Sequence, residues 1–208
     1  EGVFRAIKKN FSEDVSRGVT IVCGKGNNGG DGYVVARLLI QEGIQVFTFL
    51  LGRKEEVKGD ARLNLNRLIK LNARILEISN GDELRKNAGI IEKGGIIVDA
   101  IFGTGLSSEV TGVHREAIEF INSIKKPVVS IDIPSGLSSD TGKILGCAVR
   151  ADLTVTMGLP KLGQFINSGI DYVGDLSVVD IGIPLTLVDS VSLPYTLLDE
   201  SDLSGLFT

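Results

Sequence analysis

The stretch "VCGKGNNGGDGYVVARLL", from Val22 to Leu39, decides the fold. It joins a β-branched run to a helix-like run through a loop in which Gly24, Gly26 and Gly29 have the spacing G-x-G-x-x-G. A strand, a glycine-rich turn and a helix in this order are typical of the first unit of a nucleotide-binding α/β domain. The stretch therefore predicts an α/β fold built around this turn.

Two features of the stretch disagree with ordinary NAD binding. The second predicted strand closes as "FLLGRK" (residues 49–54) and lacks the acidic residue that holds the ribose, expected about 20 positions after the glycines. Asp31 stands near the predicted helix start, where its carboxylate would compete with a phosphate for the positive end of the helix dipole. No Gly-Lys-Ser/Thr follows, which also excludes a Walker A loop. A dehydrogenase that uses intact NAD(P) is therefore the less favoured alternative.

The polar residues Asn27, Asn28 and Asp31 of this loop allow two interpretations. They either cap the helix, since side-chain oxygens satisfy its free N–H groups, or they line a pocket. One cap needs one oxygen, whereas the loop supplies three oxygen-bearing side chains among glycines that let a ligand approach the backbone. We therefore favour an oxygen-rich pocket.

Apolar runs of strand length alternate with amphipathic segments of helix length, which predicts a βαβ architecture with a mainly parallel sheet. The predicted strands are residues 19–23, 44–51, 73–79, 95–102, 127–133, 152–157 and 175–182. The predicted helices are residues 3–11, 32–43, 61–72, 82–93 and 114–126. The nearly all-apolar run at 127–133 suits a strand that is covered on both faces of the sheet.

Length, charge and cysteine content narrow the class of protein. The length of 208 residues, 43% of them hydrophobic, suits one domain with a substantial core. The formal net charge of −4 disfavours non-specific nucleic-acid binding. Every apolar run is shorter than the ~20 residues that cross a bilayer. Cys23 and Cys147 form no C-x-x-C, so we expect reduced thiols and a cytoplasmic location. The chain opens at Glu1 without a methionine, so we expect the natural N-terminus, with any targeting segment, to lie upstream.

Polar side chains follow three of the predicted strands. The loop Asn27–Asp31 follows the first strand, Asp99 stands at the end of the fourth, and Asp132 and Ser135 come after the fifth. Ligands of open parallel sheets bind beyond the carboxyl ends of the strands, so neighbouring strands would bring these loops together. Each residue alone is also explained by a turn or a cap. Their combination favours a functional site at one edge of the sheet.

The residue types in these loops suggest their roles. Asp132 is the best candidate for general acid/base work, because it follows an apolar strand and is expected to be partly buried. Asn28, Asp99 and Ser135 offer hard oxygen ligands, which suit an alkali or alkaline-earth cation rather than zinc or copper.

Three basic residues are less informative. The single histidine, His114, opens a helix and is interpreted as an ordinary helix residue, so a Ser-His-Asp triad has no support. Lys161 is interpreted either as a phosphate contact or as a solvated lysine. Arg53, just after the second strand, is either a contact for a 2′-phosphate or a loop arginine.

Four segments together resemble the NAD(P)H-hydrate epimerases: "GKGNNGGDGYVVARLL" (24–39), "VDAIFGTGLSSEVTG" (98–112), "VVSIDIPSGLSSDTG" (128–142) and "ADLTVTMGLPKLG" (151–163). The resemblance extends from about residue 19 to residue 184. It implies a Rossmann-like three-layer sandwich with a mainly parallel central sheet. It also implies an isomerase that interconverts the R and S forms of hydrated NADH or NADPH at ring carbon 6, so that a dehydratase can restore the cofactor.

The resemblance also assigns site residues. It implies one potassium ion per subunit, held by Asn28, Asp99 and Ser135, and no redox cofactor. The loop 103–109, rather than the first loop, becomes the expected phosphate cradle. We interpret Asp132 as the group that transfers the proton during inversion. The implied substrate contacts are Asn27, Asn28, Gly29, Gly30, Asp31, Gly103, Thr104, Gly105, Leu106, Ser107, Ser108, Glu109 and Asp132.

Residues 1–185 are expected to form the epimerase domain and residues 186–208 a tail or linker, because this last stretch has no sheet pattern of its own. The tail resembles the linker to a dehydratase domain in bifunctional relatives, so we expect this chain to be one half of a longer protein. Family members usually begin with a longer helical segment than residues 1–11. Without that segment, part of the pocket wall or a homodimer contact would be missing. The alternative is a non-catalytic Rossmann-like module that binds protein or RNA, against which the retained Asn28, Asp99 and Asp132 argue.

Overall fold

The computed structural model describes residues 1–190 and contains a seven-stranded parallel sheet with the order β3-β2-β1-β4-β5-β6-β7. The part of the predicted tail from residue 191 onward lies outside the described residues. The strands are β1 Val19–Cys23, β2 Val46–Leu51, β3 Ile75–Ile78, β4 Ile96–Ala100, β5 Val128–Ile131, β6 Leu153–Met157 and β7 Asp175–Val179. Each of the seven predicted strands is therefore confirmed, most of them shorter than predicted.

Five of the helices match predicted ones, and the others are short. The helices are α1 Gly2–Asn10, α2 Ser12–Ser16, α3 Asn27–Gln41, α4 Gly59–Ile69, α5 Gly81–Ile91, α6 Gly112–Ser123, α7 Gly169–Tyr172 and α8 Leu185–Ser190. Single 3₁₀ turns lie at Lys54–Glu56 and Leu162–Gln164. Within residues 1–190 we find no helix with the length and apolar character of a membrane span.

The helices form two layers, one on each face of the sheet. On one face, α1 to α4 pack against alternate strand residues such as Ile21, Val98 and Val129. On the other face, α5 and α6 pack against the intervening residues, such as Val22 and Ile97. Side chains of successive strand residues point to opposite faces, so two-sided coverage explains why these strands are almost continuously apolar. The predicted three-layer sandwich is confirmed.

The strand order reverses between β1 and β4. From β1 the chain runs outward through β2 to β3, then returns to β4 and runs the other way through β5 and β6 to β7. Loops that leave such a switch point diverge and open a crevice at the carboxyl ends of the strands. Strands β1, β4 and β5 are neighbours, with Val22 beside Asp99 and Asp99 beside Ser130. The three polar loops named above therefore meet at one edge.

The glycine-rich turn packs α3 directly onto β1. Helix α3 begins at Asn27, five residues before the predicted start at Gly32. A Cβ on Gly29 would lie 2.0 Å from the carbonyl oxygen of Gly24, so only glycine allows this approach. Glycines disfavour a helix interior, which is why propensity placed the start too late, but here tertiary packing overrides propensity.

Candidate functional site

A cavity of about 650 Å³ lies at the switch point, beyond the carboxyl ends of β1, β4 and β5. It is large enough for a nucleotide, since ligand pockets commonly enclose about 300–1,000 Å³. Its walls come from the start of α3, the loop after β4, the residue after β5 and the end of β6. The residues that line it are Lys25, Gly26, Asn27, Asn28, Asp31, Ile101, Phe102, Gly103, Thr104, Gly105, Leu106, Ser107, Ser108, His114, Asp132 and Met157.

Most of the predicted substrate contacts line this cavity, but three do not. Gly29 packs under the turn against Gly24, and Gly30 lies against Ala61 of α4, at a neighbouring cavity between α3 and α4. Glu109 is exposed outside the wall. The two glycines shape the turn through close backbone contacts, and their contact with substrate stays a prediction, as does that of Glu109.

Asn28 brings an unpaired oxygen to the floor of the cavity. Its Nδ2 donates a hydrogen bond of 2.8 Å to the carbonyl oxygen of Phe102, which fixes the side chain. Its Oδ1 is buried and accepts no hydrogen bond from any of residues 1–190. Gly26 occupies the N-cap of α3 and no side chain caps the helix, so the capping interpretation is wrong for Asn28. A buried, unpaired carbonyl-type oxygen is costly without a partner, which favours a ligand at this position.

Asp99 lies beneath the cavity and joins two loops. It is completely buried, and its carboxylate accepts hydrogen bonds from Ser130 Oγ at 2.8 Å, Ser135 N at 2.9 Å, Ser135 Oγ at 2.5 Å and Ile101 N at 3.2 Å. Burial raises the pKa of Asp99, and these hydrogen bonds oppose the rise. The loops after β4 and β5 are therefore fastened to one buried carboxyl.

The three residues predicted to hold a cation meet around the backbone of Phe102. Its N–H donates to Ser135 Oγ at 2.8 Å, and its carbonyl accepts from Asn28. Asp99 in turn binds Ser135. Among the described residues there is no group of three or more His, Cys, Asp or Glu side chains that could hold a metal ion. The oxygens gathered here are instead those of an amide, a hydroxyl, a backbone carbonyl and one carboxylate.

Asp132 faces the cavity from the first position after β5. Its φ of +70° is in the left-handed region, which is uncommon for a residue with a Cβ and costs on the order of 1 kcal/mol or more. The side chain is almost completely buried, more than the partial burial expected, and it forms an ion pair of 2.6 Å with Lys161 Nζ. Its other oxygen, Oδ2, lies 3.3 Å from the N–H of Thr104. The structure supports neither sequence interpretation of Lys161, because its ammonium is paired and mostly buried.

Asp31 supplies a second carboxyl to the same cavity. It lies in the second turn of α3 rather than at the helix start, since that helix begins at Asn27. Burial, reinforced by the negative charge of Asp132, raises the pKa of Asp31 to about 6. Within residues 1–190 no ammonium or guanidinium forms a salt bridge with Asp31. The cavity therefore contains two carboxyl groups in different electrostatic surroundings.

Two residues of the outer wall, His114 and Lys25, were not predicted from the sequence to belong to the site. His114, in the first turn of α6, stacks against Phe102 with ring centroids 5.1 Å apart. Burial, with a smaller effect of Lys25, lowers the pKa of His114. Lys25 stands at the mouth of the cavity and pairs with Glu56 at 2.9 Å. The position of Lys25 inside the glycine motif could have indicated a place at the site, whereas nothing in the sequence around His114 indicates one.

Arg53 lies away from the cavity wall and is held by carboxylates. It donates to Glu83 at 2.7 Å and lies 3.7 Å from Glu77. The interpretation as a loop arginine therefore fits the structure better than a contact for a 2′-phosphate.

Comparison with known proteins places these features in one family. The family model described as "YjeF-related protein N-terminus" matches residues 1–163. The bifunctional NAD(P)H-hydrate repair enzyme Nnr of Moorella thermoacetica is 42% identical over 187 residues, which cover 89% of this chain but 35% of that protein. The NAD(P)H-hydrate epimerase of Oenococcus oeni is 42% identical over 165 residues, which cover 79% of this chain and 74% of that protein. The chain thus spans about a third of the first of these relatives and about three quarters of the second.

The fold has a counterpart among solved structures. The crystal structure of the yeast protein ynu0 superposes with a TM-score of 0.73 over 97% of this chain and 84% of that one, at 23% sequence identity. At that identity the likeness concerns the fold alone. The family model matches residues 1–163, a range that includes β1, β4, β5 and β6 and the cavity at their carboxyl ends. The chain therefore belongs to the family of YjeF-related N-terminal domains.

Proposed function

We propose that this chain is an isomerase that interconverts the R and S epimers of hydrated NADH and NADPH. The observation that carries the proposal is the Asp132 carboxylate, fixed in a left-handed backbone conformation at a cavity of nucleotide size. The name of the Oenococcus oeni relative, NAD(P)H-hydrate epimerase, supports the same reaction.

The cavity has two walls suited to the two ends of such a substrate. The loop Gly103–Ser108 offers backbone N–H groups, and its glycines let a diphosphate approach closely. Lys25 adds a positive charge at the mouth. Asn27 and Asp31 on the opposite wall offer side-chain oxygens for sugar hydroxyls. We therefore assign the diphosphate to the glycine loop and the hydrated ring to the side of Asp132.

The reaction requires that ring carbon 6 pass through a planar state. In ring opening, a base takes the hydroxyl proton, a carbonyl forms at carbon 6 as its bond to nitrogen breaks, and an acid protonates the departing nitrogen. The reverse steps on the other face of the carbonyl close the ring. In hydroxyl loss, an acid protonates the leaving hydroxyl and a base later activates the returning water. Both routes need a proton acceptor and a donor. We assign proton transfer at carbon 6 to Asp132, and Asp31, with its pKa raised to about 6, stands across the same cavity as the second proton-handling group.

The proposal includes a potassium ion below the cavity. The residues present fit a monovalent cation, because the buried Oδ1 of Asn28 has no partner among the described residues 1–190 and lies beside the oxygens around Phe102. Asn28, Asp99 and Ser135 would hold the ion through hard oxygen atoms. When bound, the cation supplies a fixed positive charge next to the loops that carry the substrate.

The proposed setting is cytoplasmic repair of nicotinamide nucleotides, together with a dehydratase. The chain matches about a third of a relative named as a bifunctional NAD(P)H-hydrate repair enzyme, which supports a fused or separate dehydratase partner. A homodimer is part of the proposal. Nucleic acid and membranes are not among the proposed partners, in keeping with the net charge of −4.

Chiral chromatography tests the reaction. A mixture of hydrated NADH in which a dehydratase has removed one epimer is incubated with the protein, and the return to equilibrium is timed against the spontaneous rate. We expect Asp132→Asn to slow re-equilibration at least ~100-fold, the usual scale of general acid/base catalysis, with the fold retained. Asp140→Asn, which alters an exposed carboxylate in the same loop, should keep the parent rate. Near-normal activity of Asp132→Asn contradicts the assignment, and no acceleration by the parent protein favours the binding-module alternative.

A further inference from the structure

The segment after β6 contributes to the site, although it supplies little of the cavity wall. We propose that Lys161 and Gln164 act as positioning residues that hold the Asp132 carboxylate for proton transfer. This inference rests on the proposed function, because positioning matters only if Asp132 moves a proton. We call the pair the Asp132 clamp.

Three separate contacts tie Asp132 to β6 and the segment that follows it. The backbone N–H of Asp132 donates to Val155 of β6 at 2.8 Å. Its backbone carbonyl accepts from Gln164 Nε2 at 2.9 Å, and its Oδ1 lies 2.6 Å from Lys161 Nζ. Backbone and side chain are thus both fixed from the same direction. Such over-determination is what keeps a residue in a costly left-handed conformation.

Lys161 is itself rigidly held. Besides Asp132, its ammonium donates to Thr156 Oγ1 at 2.7 Å and to the carbonyl of Met157 at 2.9 Å. An ammonium has three N–H donors, so these three acceptors use all of them. The side chain is 18% exposed. A phosphate could bind this ammonium only by displacing one of its three partners.

Gln164 connects the two halves of the clamp. It is 3% exposed, and while its Nε2 holds Asp132, its Oε1 accepts from the backbone N–H of Lys161 at 2.8 Å. A single buried amide therefore fixes both the backbone of Asp132 and that of Lys161. Because both of its polar atoms are satisfied, the side chain has one stable orientation.

The clamp leaves one oxygen of Asp132 for chemistry. Oδ1 is engaged by Lys161, whereas among residues 1–190 the one hydrogen bond of Oδ2 is the 3.3 Å contact with the N–H of Thr104. A Cβ on Gly103 would lie 3.1 Å from Oδ2, so the absence of a side chain there keeps space in front of this oxygen. The geometry assigns proton transfer to Oδ2. The clamp orients the carboxylate so that Oδ2 faces the cavity, and the Lys161 ammonium pairs with the carboxylate charge at Oδ1.

The first test removes the ammonium. We expect Lys161→Met to lower kcat about 10–100-fold, because a displaced catalytic group typically costs that much, while KM stays within twofold. Lys143→Met, which removes an exposed lysine from the loop between β5 and β6, is the matched control and should leave both constants unchanged. A rise in KM at unchanged kcat would mean that Lys161 contacts the substrate, and it would overturn the clamp.

The second test restores the ammonium chemically. Lys161→Cys should be as slow as Lys161→Met, and alkylation with 2-bromoethylamine rebuilds a primary ammonium at nearly the same length. We expect most of the lost kcat to return. The parent protein, which contains Cys23 and Cys147, is treated in parallel to measure any effect of alkylation elsewhere. Failure to recover in a variant that is alkylated at position 161 and remains folded contradicts the inference.

Two further measurements keep the inference separate from the proposed reaction. If Lys161→Met does not fold, Thr156→Val tests the clamp instead, because it removes one hydrogen-bond acceptor of the Lys161 ammonium and keeps a side chain of similar shape. A several-fold fall in kcat supports the clamp, and an unchanged kcat overturns it. If the parent protein shows no epimerisation, the proposed function fails, and melting temperatures of Lys161→Met, Asp132→Asn and the double variant still test the contact. Non-additive losses support the clamp and additive losses overturn it.

Discussion

The two carboxyl groups of the cavity differ in what surrounds them. The Oδ1 of Asp132 lies 2.6 Å from the Lys161 ammonium. Asp31 forms no salt bridge with any cationic side chain of residues 1–190. Burial and the negative charge of Asp132 raise the pKa of Asp31 to about 6, a value suited to proton transfer near neutral pH. We therefore expect the stability of the protein to depend on pH through the ionisation of Asp31.

Asp31→Asn should stabilise the protein at alkaline pH and lose this advantage in acid. The pKa of Asp31 is about 6 in the folded chain against 3.8 for the ordinary side chain. The folded state therefore binds the proton more tightly, and the stability associated with that proton is complete below about pH 3.8 and is lost as the pH rises through about 6. Above pH 7 the parent protein must keep a partly buried charge beside Asp132, which asparagine does not carry.

Thermal unfolding between pH 4 and pH 8 measures the effect. Solvent screens a partly exposed carboxyl, so we expect roughly 1 kcal/mol at pH 8, or about 2–4 °C in Tm, and no gain near pH 4. Asp140→Asn serves as the exposed control. A Tm difference between Asp31→Asn and the parent that is constant with pH contradicts the prediction.

Individual side chains of the site were predictable from the sequence, but their partners were not. Asn28, Asp99 and Asp132 were recognisable because polar groups at the ends of buried strands are conspicuous. The pairing of Asp132 with Lys161 joins positions 29 residues apart. It depends on β5 lying beside β6, which spacing along the chain does not reveal. Gln164 had no signal at all, since one glutamine in a polar loop resembles any other.

At the level of elements, the glycine turn before α3 is the part most sensitive to added atoms. Gly29→Ala should destabilise the protein by about 1–3 kcal/mol, because the new Cβ would lie 2.0 Å from the carbonyl oxygen of Gly24 and α3 would have to move away from β1. The same exchange in an open helix interior normally stabilises by about 1 kcal/mol. Gly89→Ala in α5 is the matched control, since a Cβ there meets no atom within 4 Å. Urea unfolding of both variants should give shifts of opposite sign, and a stabilised Gly29→Ala would refute the packing argument.

The same turn marks the limit of prediction for elements. The apolar strands were predictable because a strand buried on both faces has an almost continuous apolar run. The start of α3 was not, because its first turn contains Gly29 and Gly30, which local propensity excludes from helices and which close packing requires. The short helices α2 and α7 were missed for another reason, since five and four residues are too few to show a helical period.

For the whole molecule, the proposed cation would join parts that are distant along the chain. Asn28 lies in the first turn of α3, Asp99 belongs to β4, and Ser135 follows β5, so one ion would fasten three segments across the switch point. A ligand that binds only the folded state raises its stability with concentration. Global unfolding therefore reports on this local site.

The melting temperature should rise with potassium concentration and rise less with sodium or tetramethylammonium at the same ionic strength. Each tenfold increase in potassium above the Kd adds about 1.4 kcal/mol, which corresponds to about 3–5 °C for a chain of this size. Asn28→Ala, which removes the buried unpaired oxygen, should abolish the specific response, whereas Asn66→Ala, on the exposed face of α4, should retain it. Tetramethylammonium separates specific binding from general screening, because it is too large for a site lined by an amide, a hydroxyl and a backbone carbonyl. Equal curves for all three salts, or an Asn28→Ala variant that responds like the parent, would show that the oxygens around Phe102 do not hold a cation.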